Sequence, residues 1–127
     1  KVKNKKKLKI LDIGGGSGQI AKHLVDLGHQ VTIVIPSSIL AEHAKRNTMD
    51  RAKIHLTTFE DYMPDKNITF DLCLYAESFQ YIPIKIALQK AAQLLNENGE
   101  ILIADCFRSK QEHTGIFRKP GGGTVLS

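Results

Sequence analysis

Short apolar runs alternate along this chain with stretches in which apolar residues recur at helical spacing. The runs, many of them rich in β-branched residues, predict five strands: Leu8 to Ile13, Gln30 to Ile35, Ile54 to Thr58, Phe70 to Tyr75 and Glu100 to Cys106. The stretches between them predict three helices: Ser17 to Leu27, Ser37 or Ser38 to about Arg46, and Ile84 to Leu95. Residues 59–67 are predicted as a loop or a single helical turn, and 96–99 as a turn in which Gly99 is left-handed.

Strands that are nearly all apolar and alternate with helices are typical of a parallel sheet covered on both faces. We therefore predict an α/β fold with a doubly wound, mostly parallel sheet of about five strands. In such sheets ligands bind outside the carboxyl ends of the strands. The positions of interest thus follow the predicted strands: 14–18, 35–38, 58–61, 76–81 and 106–108.

A glycine cluster lies between the first strand and the first helix. Residues 10–18 read ILDIGGGSG, with glycine at Gly14, Gly15, Gly16 and Gly18. Glycine permits positive φ and lets a ligand lie against the main chain. The helix that follows presents unpaired N–H groups and a partial positive charge. This arrangement predicts a site for a nucleotide-like ligand.

Two other ligand classes also use a glycine-rich turn between a strand and a helix. A phosphate-binding P-loop requires Lys followed by Ser or Thr, whereas Gln19 and Ile20 stand there. A dinucleotide fold remains an alternative, because Gly16-x-Gly18-x-x-Ala21 fits the alanine-ended fingerprint.

The stretch Gly14 to Gly18 also resembles the loop of short-chain dehydrogenases. Tyr81 and Lys85 reproduce the Tyr-x-x-x-Lys spacing of those enzymes, but Pro83 between them would break the helix that the pair requires. An NAD(P)-dependent reductase is therefore kept as an alternative function.

Four segments, taken in order, resemble the class I SAM-dependent methyltransferases, and small-molecule methyltransferases are the most similar members. The segments are residues 10–18, 70–74, 77–83 and 87–103. The resemblance implies a Rossmann-like methyltransferase core with strand order 3-2-1-4-5. It also implies S-adenosyl-L-methionine (SAM) as the cofactor and a small-molecule acceptor that receives the methyl group by in-line displacement.

The resemblance also implies where the cofactor would lie. The glycine loop would pass close to the methionine and ribose portions of SAM. Asp12 would hold the amino end of SAM, fix the loop through backbone N–H groups, or do both. The implied cofactor-binding residues are Asp12, Gly14, Gly15, Gly16, Gly18, Ile35, Pro36, Ser37, Phe59, Glu60, Ala76 and Glu77.

The end of the second strand departs from the family pattern. The resemblance implies an acidic residue there that binds the ribose hydroxyls, but this chain has Ile35, followed by Pro36 and Ser37. Ser37 or Ser38 would substitute only in part. Loss of a charge-assisted bond predicts weaker cofactor affinity, by about 1.5–3 kcal/mol. A degenerate, non-catalytic binding module is therefore a further alternative.

The remaining implied site residues have alternative structural roles. Glu60 would face the adenine amino group or lie in solvent, and Phe59 would stack on adenine or fill the core. The loop after the fourth strand would lie beside the transferred methyl group, so Gln80 and Tyr81 are the candidate catalytic residues. No general base is evident, but positioning alone can supply much of the acceleration of a displacement on an activated carbon.

Composition and charge bear on the partners, the metal content and the cellular compartment of the protein. Six of the 18 Lys and Arg residues fall in the first nine positions; the remaining 12 face 13 Asp and Glu, a net of −1. We therefore expect a solvated basic leader at 1–7 rather than a nucleic-acid site. The His residues lack metal-ligand spacing beside cysteines, so no metal is expected. Cys73 and Cys106 both lie in strands predicted to be buried, which favours free thiols in a reducing compartment. No apolar run approaches the ~20 residues of a membrane span, so we predict a cytoplasmic protein.

Residues 1–127 are predicted to be a single SAM-binding domain. Regular patterning fades after Arg108, so 109–127 is predicted to be poorly structured, with no confident final strand pair. The chain is expected to be a truncated methyltransferase core. A five-stranded sheet would leave an unpaired edge, which dimerisation would cover.

Overall fold

The computed structural model describes residues 7–14, 16–64, 68–75, 84–105, 113–118 and 125–126. Its elements follow in chain order: β1 (Lys9–Ile13), α1 (Gln19–Asp26), β2 (Gln30–Ile35), α2 (Ser38–Asn47), β3 (Lys53–Leu56), β4 (Phe70–Tyr75), α3 (Ile84–Leu94), β5 (Leu95–Asp105), β6 (His113–Arg118) and β7 (Val125–Leu126). The bounds of β2 and β4 are those predicted from the sequence. The predicted start of α2 after Ser37 is also confirmed, because the Ser37 side chain caps that helix.

Within the described residues the strands form one sheet in the order β3-β2-β1-β4-β5-β6-β7. The first five strands are parallel to their neighbours. The predicted α/β fold and the strand order 3-2-1-4-5 are therefore confirmed. Helices α1 and α2 pack on one face of the sheet, and α3 packs on the other.

The sheet extends beyond the five predicted strands. Strand β6 pairs antiparallel with β5, and β7 pairs antiparallel with β6. Both lie within 109–127, where the sequence predicted little regular structure and no confident final pair. A strand as short as β7, with two residues, has no usable period, and its existence depends on the edge that β5 and β6 provide.

The central strand β1 is buried on both faces. Leu11 and Ile13 belong to the apolar cluster beneath α3, and Ile10 belongs to the cluster beneath α1 and α2. All three side chains are at most 1% exposed. Such burial explains why the run reads as continuously apolar except for Asp12.

The predicted turn at 96–99 is wrong, because β5 begins at Leu95, directly after α3, and includes these residues. The left-handed residue is Asn98, with φ 69°, and not Gly99. Glycine is nevertheless required at 99, because a Cβ there would lie 2.9 Å from the carbonyl oxygen of Asn96. The pairing of β5 with β4 shifts register here, from Phe70 opposite Leu95 to Leu72 opposite Glu100. Asparagine tolerates positive φ, so this irregularity within a strand does not need a left-handed glycine.

Polar side chains join the starts of three strands. Asp71 accepts hydrogen bonds from the Lys9 backbone N–H at 2.9 Å and from the Asn96 side-chain amide at 2.7 Å. Thr69 in turn donates to the Asn96 side-chain oxygen. This network ties the beginnings of β1 and β4 to the start of β5.

Cys73 in β4 is a free, fully buried thiol, as the sequence predicted; Cys106 lies outside the described residues. Burial raises the pKa of the Cys73 thiol to about 12. Among the described helices none is long and apolar enough to cross a membrane.

We expect Cys73 to resist alkylation in the folded protein. In a Cys106→Ser variant at pH 8, iodoacetamide should label Cys73 only on the timescale of unfolding, because the thiolate is the nucleophile and burial disfavours it. The same pKa shift predicts a stability that is full below pH 9 and falls at higher pH, since the unfolded thiol ionises near 9.0. Mass spectrometry with and without urea measures the labelling; equal rates in both would contradict the prediction.

Candidate functional site

Backbone hydrogen bonds bring together the carboxyl ends of the first three strands. The Gly14 N–H donates to the Val34 carbonyl at 2.7 Å, and the Thr57 N–H donates to the Ile35 carbonyl at 3.0 Å. The segments after β1, β2 and β3 therefore meet at one edge of the sheet, as predicted for a parallel α/β fold.

The loop between β1 and α1 needs glycine at several positions. Gly14, Gly16 and Gly18 have φ of 66°, 59° and 87°, in the region that other residues rarely adopt. Gly18 is the N-cap of α1, and no side chain of the described residues caps this helix end. The first turn also contains no acidic residue, so the partial positive charge of the helix start is not neutralised locally.

Gly18 is also constrained by its neighbour on α2. A Cβ on Gly18 would lie 2.7 Å from the Cα and 2.9 Å from the Cβ of Ala44. Both residues are buried, so the start of α1 lies directly against α2. The close approach of two helices explains why a small residue stands at 44, a signal that the sequence analysis overlooked.

Asn47 is a second residue that the sequence analysis missed. Its side-chain amide donates to the carbonyl oxygen of Ser17 at 2.7 Å. This bond ties the last residue of α2 to the glycine loop. No local sequence pattern predicts this contact, because the two residues are 30 positions apart.

Asp12 occupies a fully buried position near the end of β1. Its backbone is in register with Ile33 of β2 and Leu74 of β4, and its side chain is 0% exposed. Because side chains alternate along a strand, Asp12 lies on the face of the sheet that α1 and α2 cover. A carboxylate held there stands two residues before Gly14.

The end of β2 carries no carboxylate. Ile35 is the last residue of β2 and is 2% exposed. Pro36 is exposed, and the Ser37 hydroxyl accepts a hydrogen bond from the Leu40 N–H at 3.2 Å. Ser37 therefore acts first as a helix cap. The exposed apolar side chains of Ile39 and Leu40 follow directly.

Phe59 and Glu60 lie after β3 but in different environments. The Phe59 ring is buried in the core, 6.0 Å from the Tyr75 ring in an edge-on arrangement. The Glu60 side chain is exposed, and its backbone carbonyl accepts a hydrogen bond from Lys90 Nζ at 2.8 Å. Lys90 Nζ also lies 5.2 Å from the centre of the Phe59 ring. Desolvation lowers the pKa of Lys90, while the charges of Asp61 and Glu60 oppose that shift.

Five of the predicted site residues lie outside the described residues. They are Gly15, Ala76, Glu77, Gln80 and Tyr81. Their assignment stays a prediction. Of the others, Asp12 and Ile35 are buried in the sheet, Gly14, Gly16 and Gly18 lie in the loop between β1 and α1, and Phe59 packs in the core cluster beneath α3.

The sequence of residues 11–103 matches the protein family described as a methyltransferase domain, and the chain belongs to that family. The matched range begins just before the glycine loop and ends within β5. The resemblance to class I SAM-dependent methyltransferases is therefore confirmed.

Two curated relatives show the range of this similarity. The ubiquinone/menaquinone biosynthesis C-methyltransferase UbiE of Agrobacterium fabrum is 30% identical over 105 residues, covering 76% of this chain and 40% of the relative. The ubiquinone biosynthesis O-methyltransferase of Bartonella bacilliformis is 28% identical over 113 residues, covering 80% of this chain and 42% of the relative. The chain thus spans well under half the length of these relatives.

A solved structure shows the same fold. The plantazolicin methyltransferase BpumL, in complex with a triazolic desmethylPZN analog and SAH, superimposes with a TM-score of 0.72 at 21% identity. The superposition covers 80% of this chain and 40% of that chain. At this identity the likeness concerns the fold.

Substituting Gly18 tests the contact between α1 and α2. Gly18→Ala should lower the free energy of unfolding by about 1–2 kcal/mol for the left-handed backbone and by about 1–3 kcal/mol more for the clash with Ala44. Urea denaturation followed by circular dichroism measures the change.

Gly28→Ala is the matched control for that substitution. Gly28 also has positive φ, at 97°, but a Cβ there would meet no atom within 4 Å. It should therefore show only the backbone contribution, about 1–2 kcal/mol. Equal losses in the two variants would show that the close approach of Ala44 is not a constraint.

Proposed function

We propose that this chain binds SAM and transfers its methyl group to a small-molecule acceptor. The observation that carries the proposal is the glycine loop, which links the end of β1 to α1 and is hydrogen-bonded to β2 through Gly14. The family match over residues 11–103 includes the whole loop.

The residues at this edge fit most, but not all, of such a cofactor. Gly14 and Gly16 leave the main chain of the loop partly exposed, and the uncapped start of α1 offers N–H groups suited to a carboxylate. Asp12 supplies a buried carboxylate near the amino end of the cofactor. The ribose hydroxyls find no carboxylate partner at Ile35, and the Ser37 hydroxyl is engaged in capping α2.

Bound SAM would supply a methyl group on a sulfonium, a carbon already activated for displacement. The chain would then contribute chiefly by holding the cofactor and the acceptor in line. Exposed Ile39 and Leu40, and the segment that follows β3, would flank the adenosine end. We propose Gln80 and Tyr81 as the residues nearest the acceptor and Ala76 and Glu77 as cofactor contacts, on the basis of the family resemblance.

The acceptor is proposed only as a small molecule. The two curated relatives are named as a C-methyltransferase and an O-methyltransferase, so similarity at this level favours neither atom. The NAD(P)-dependent reductase is not carried further, because the family match includes the loop on which that alternative depended.

The proposed setting is the cytoplasm, with no nucleic-acid partner. The buried free thiol of Cys73 is suited to a reducing compartment. The outer strand β3 has a free edge within the described sheet, and we propose that a second subunit covers it in a homo-oligomer.

Isothermal titration with S-adenosylhomocysteine and with NADPH tests the cofactor. We expect saturable heat with S-adenosylhomocysteine and none with NADPH. Absence of heat with the former, in a sample shown to be folded by circular dichroism, would overturn the proposed function.

Ile35→Asp should strengthen cofactor binding. A carboxylate at the end of β2 would accept hydrogen bonds from the ribose hydroxyls, and a charge-assisted bond contributes about 1.5–3 kcal/mol. Because Ile35 is buried, the unpaired carboxylate should also lower the stability of the unliganded protein, so circular dichroism must first show that the variant is folded. The expected gain in affinity is about ten- to a hundredfold, measured as the Kd for S-adenosylhomocysteine at pH 8. Ile35→Asn is the control for shape without charge, and an affinity gain of the same size in both variants would contradict the role of the charge.

A binding module without turnover is the second candidate function. The apolar Ile35 favours it, because weak cofactor affinity would be tolerated where no reaction is required. Release of S-adenosylhomocysteine from SAM in the presence of any acceptor would exclude this candidate. Restored affinity in Ile35→Asp without any turnover across a panel of phenols, amines and quinols would favour it.

A further inference from the structure

A second concavity lies at the edge of the sheet opposite the glycine loop. It has a volume of about 480 Å³, and the first residues of four strands line it: Lys9, Gln30, Lys53 and Phe70. The glycine loop follows the other end of β1, a strand of five residues, so the two sites are roughly 15 Å apart along the strand. This cavity is distinct from the candidate cofactor site.

The floor of the cavity is apolar and aromatic. Phe70 and Tyr62 line it and are 3% and 4% exposed. The His55 ring lies 5.2 Å from the Tyr62 ring at an angle of 59°. These rings are already packed, so the apolar area that a ligand could still remove from water comes from Met63, Pro64 and Ile68, which also line the cavity and are more exposed.

The rim of the cavity is basic. Lys9, Lys53 and Arg51 line it, and no Asp or Glu does so among the described residues. Lys9 and Lys53 form no ion pair with any described carboxylate. Two cations at a half-enclosed site favour an anion there.

The nearby carboxylates are already engaged. Asp26 accepts from Arg51 Nη2 at 2.6 Å and from Lys22 Nζ at 3.2 Å. Those two hydrogen bonds lower the pKa of Asp26, and its single negative charge is shared between Arg51 and Lys22. Asp71 accepts from the Lys9 backbone N–H and from the Asn96 amide. Both of these donors are neutral, so Asp71 keeps its negative charge and offsets part of the charge of Lys9, whereas Lys53 forms no ion pair with any described carboxylate.

His29 adds a neutral donor to the same lining. Its Nδ1 accepts a hydrogen bond from the Leu8 N–H at 3.1 Å. In the neutral imidazole the proton must then be on Nε2. That N–H remains able to donate to an oxygen of a bound anion.

We propose that this cavity is a second binding site, for a small organic anion with an apolar body. Lys9 and Lys53 hold its carboxylate or phosphate group, and the surface formed by Met63, Pro64 and Ile68 receives its apolar part. The volume lies within the usual range for small-molecule sites. Its place at the amino ends of the strands separates it from a methyl group at the glycine loop, so the ligand is not the methyl acceptor.

The two methionines provide a direct test. Met63 lines the cavity and is 83% exposed, whereas Met49 is 68% exposed and does not line it. In protein labelled with ¹³C at the methionine methyl groups, octanoate should shift the Met63 signal saturably, with half-saturation near or below about 1 mM, and leave the Met49 signal in place. Octan-1-ol, which lacks the charge, and inorganic phosphate, which lacks the chain, should each bind at least several-fold more weakly.

Charge variants test the role of the rim. Lys53→Gln and Lys9→Gln should each weaken octanoate binding about two- to fivefold, the range expected for a partly exposed ion pair, and added salt should weaken it further. Lys45→Gln, on the exposed face of α2 and outside the cavity, is the matched control. It should leave octanoate affinity unchanged.

Several results would overturn the proposal. Equal affinity for octanoate and octan-1-ol would show that the site does not require a negatively charged ligand. Shifts of both the Met49 and the Met63 signals would indicate non-specific binding. An equal effect of Lys45→Gln and Lys53→Gln on octanoate affinity would show that the lysines of the rim do not bind the anion. A shift of Met63 with protein concentration alone would indicate a second copy of the chain in the cavity instead. Each result is independent of binding at the glycine loop, so failure here leaves the methyltransferase proposal unchanged.

Discussion

The structure depends on burying β1 at the centre of a parallel sheet. Every backbone polar group of a strand in that position must be paired from both sides, because water cannot reach it. Strands β2 and β4 meet this requirement with continuous parallel registers. Parallel pairing in turn places the ends of the strands at a common edge, and there Gly14 and Thr57 bond to the last residues of β2. The candidate cofactor site is therefore a consequence of how the backbone hydrogen bonds of β1 are paired with those of β2 and β4.

The glycine loop is held by helix packing as much as by its own conformation. Gly18 starts α1 in a left-handed conformation and at the same time lets Ala44 of α2 approach to contact distance. Asn47, one turn further along α2, binds the loop at Ser17. The proposed cofactor site and the helix contact therefore share one loop, whereas Ile35, the proposed ribose position, lies at the end of β2 and is apolar.

The two edges of the sheet carry different chemistry for a physical reason. At the carboxyl edge a helix start and main-chain N–H groups create partial positive charge without any side chain. At the amino edge the strand starts bring side chains together, and Lys9 and Lys53 line the same cavity as Tyr62 and Phe70. Similar attraction for anions thus arises from backbone at one edge and from side chains at the other.

The sequence alone determined the order of strands and helices, the parallel part of the sheet and the place of the glycine loop. Each of these can be predicted from local apolar periodicity and from the positions of glycine. It also identified the absent carboxylate at Ile35, since that is a matter of residue identity. Tertiary structure decided what depends on distant partners: Ala44 beside Gly18, Asn47 on Ser17, and the burial of Phe59 against Tyr75. Tertiary structure also decided strands β6 and β7. They form because β6 pairs with the edge of β5 and β7 pairs with β6, whereas their local sequence pattern does not predict strands.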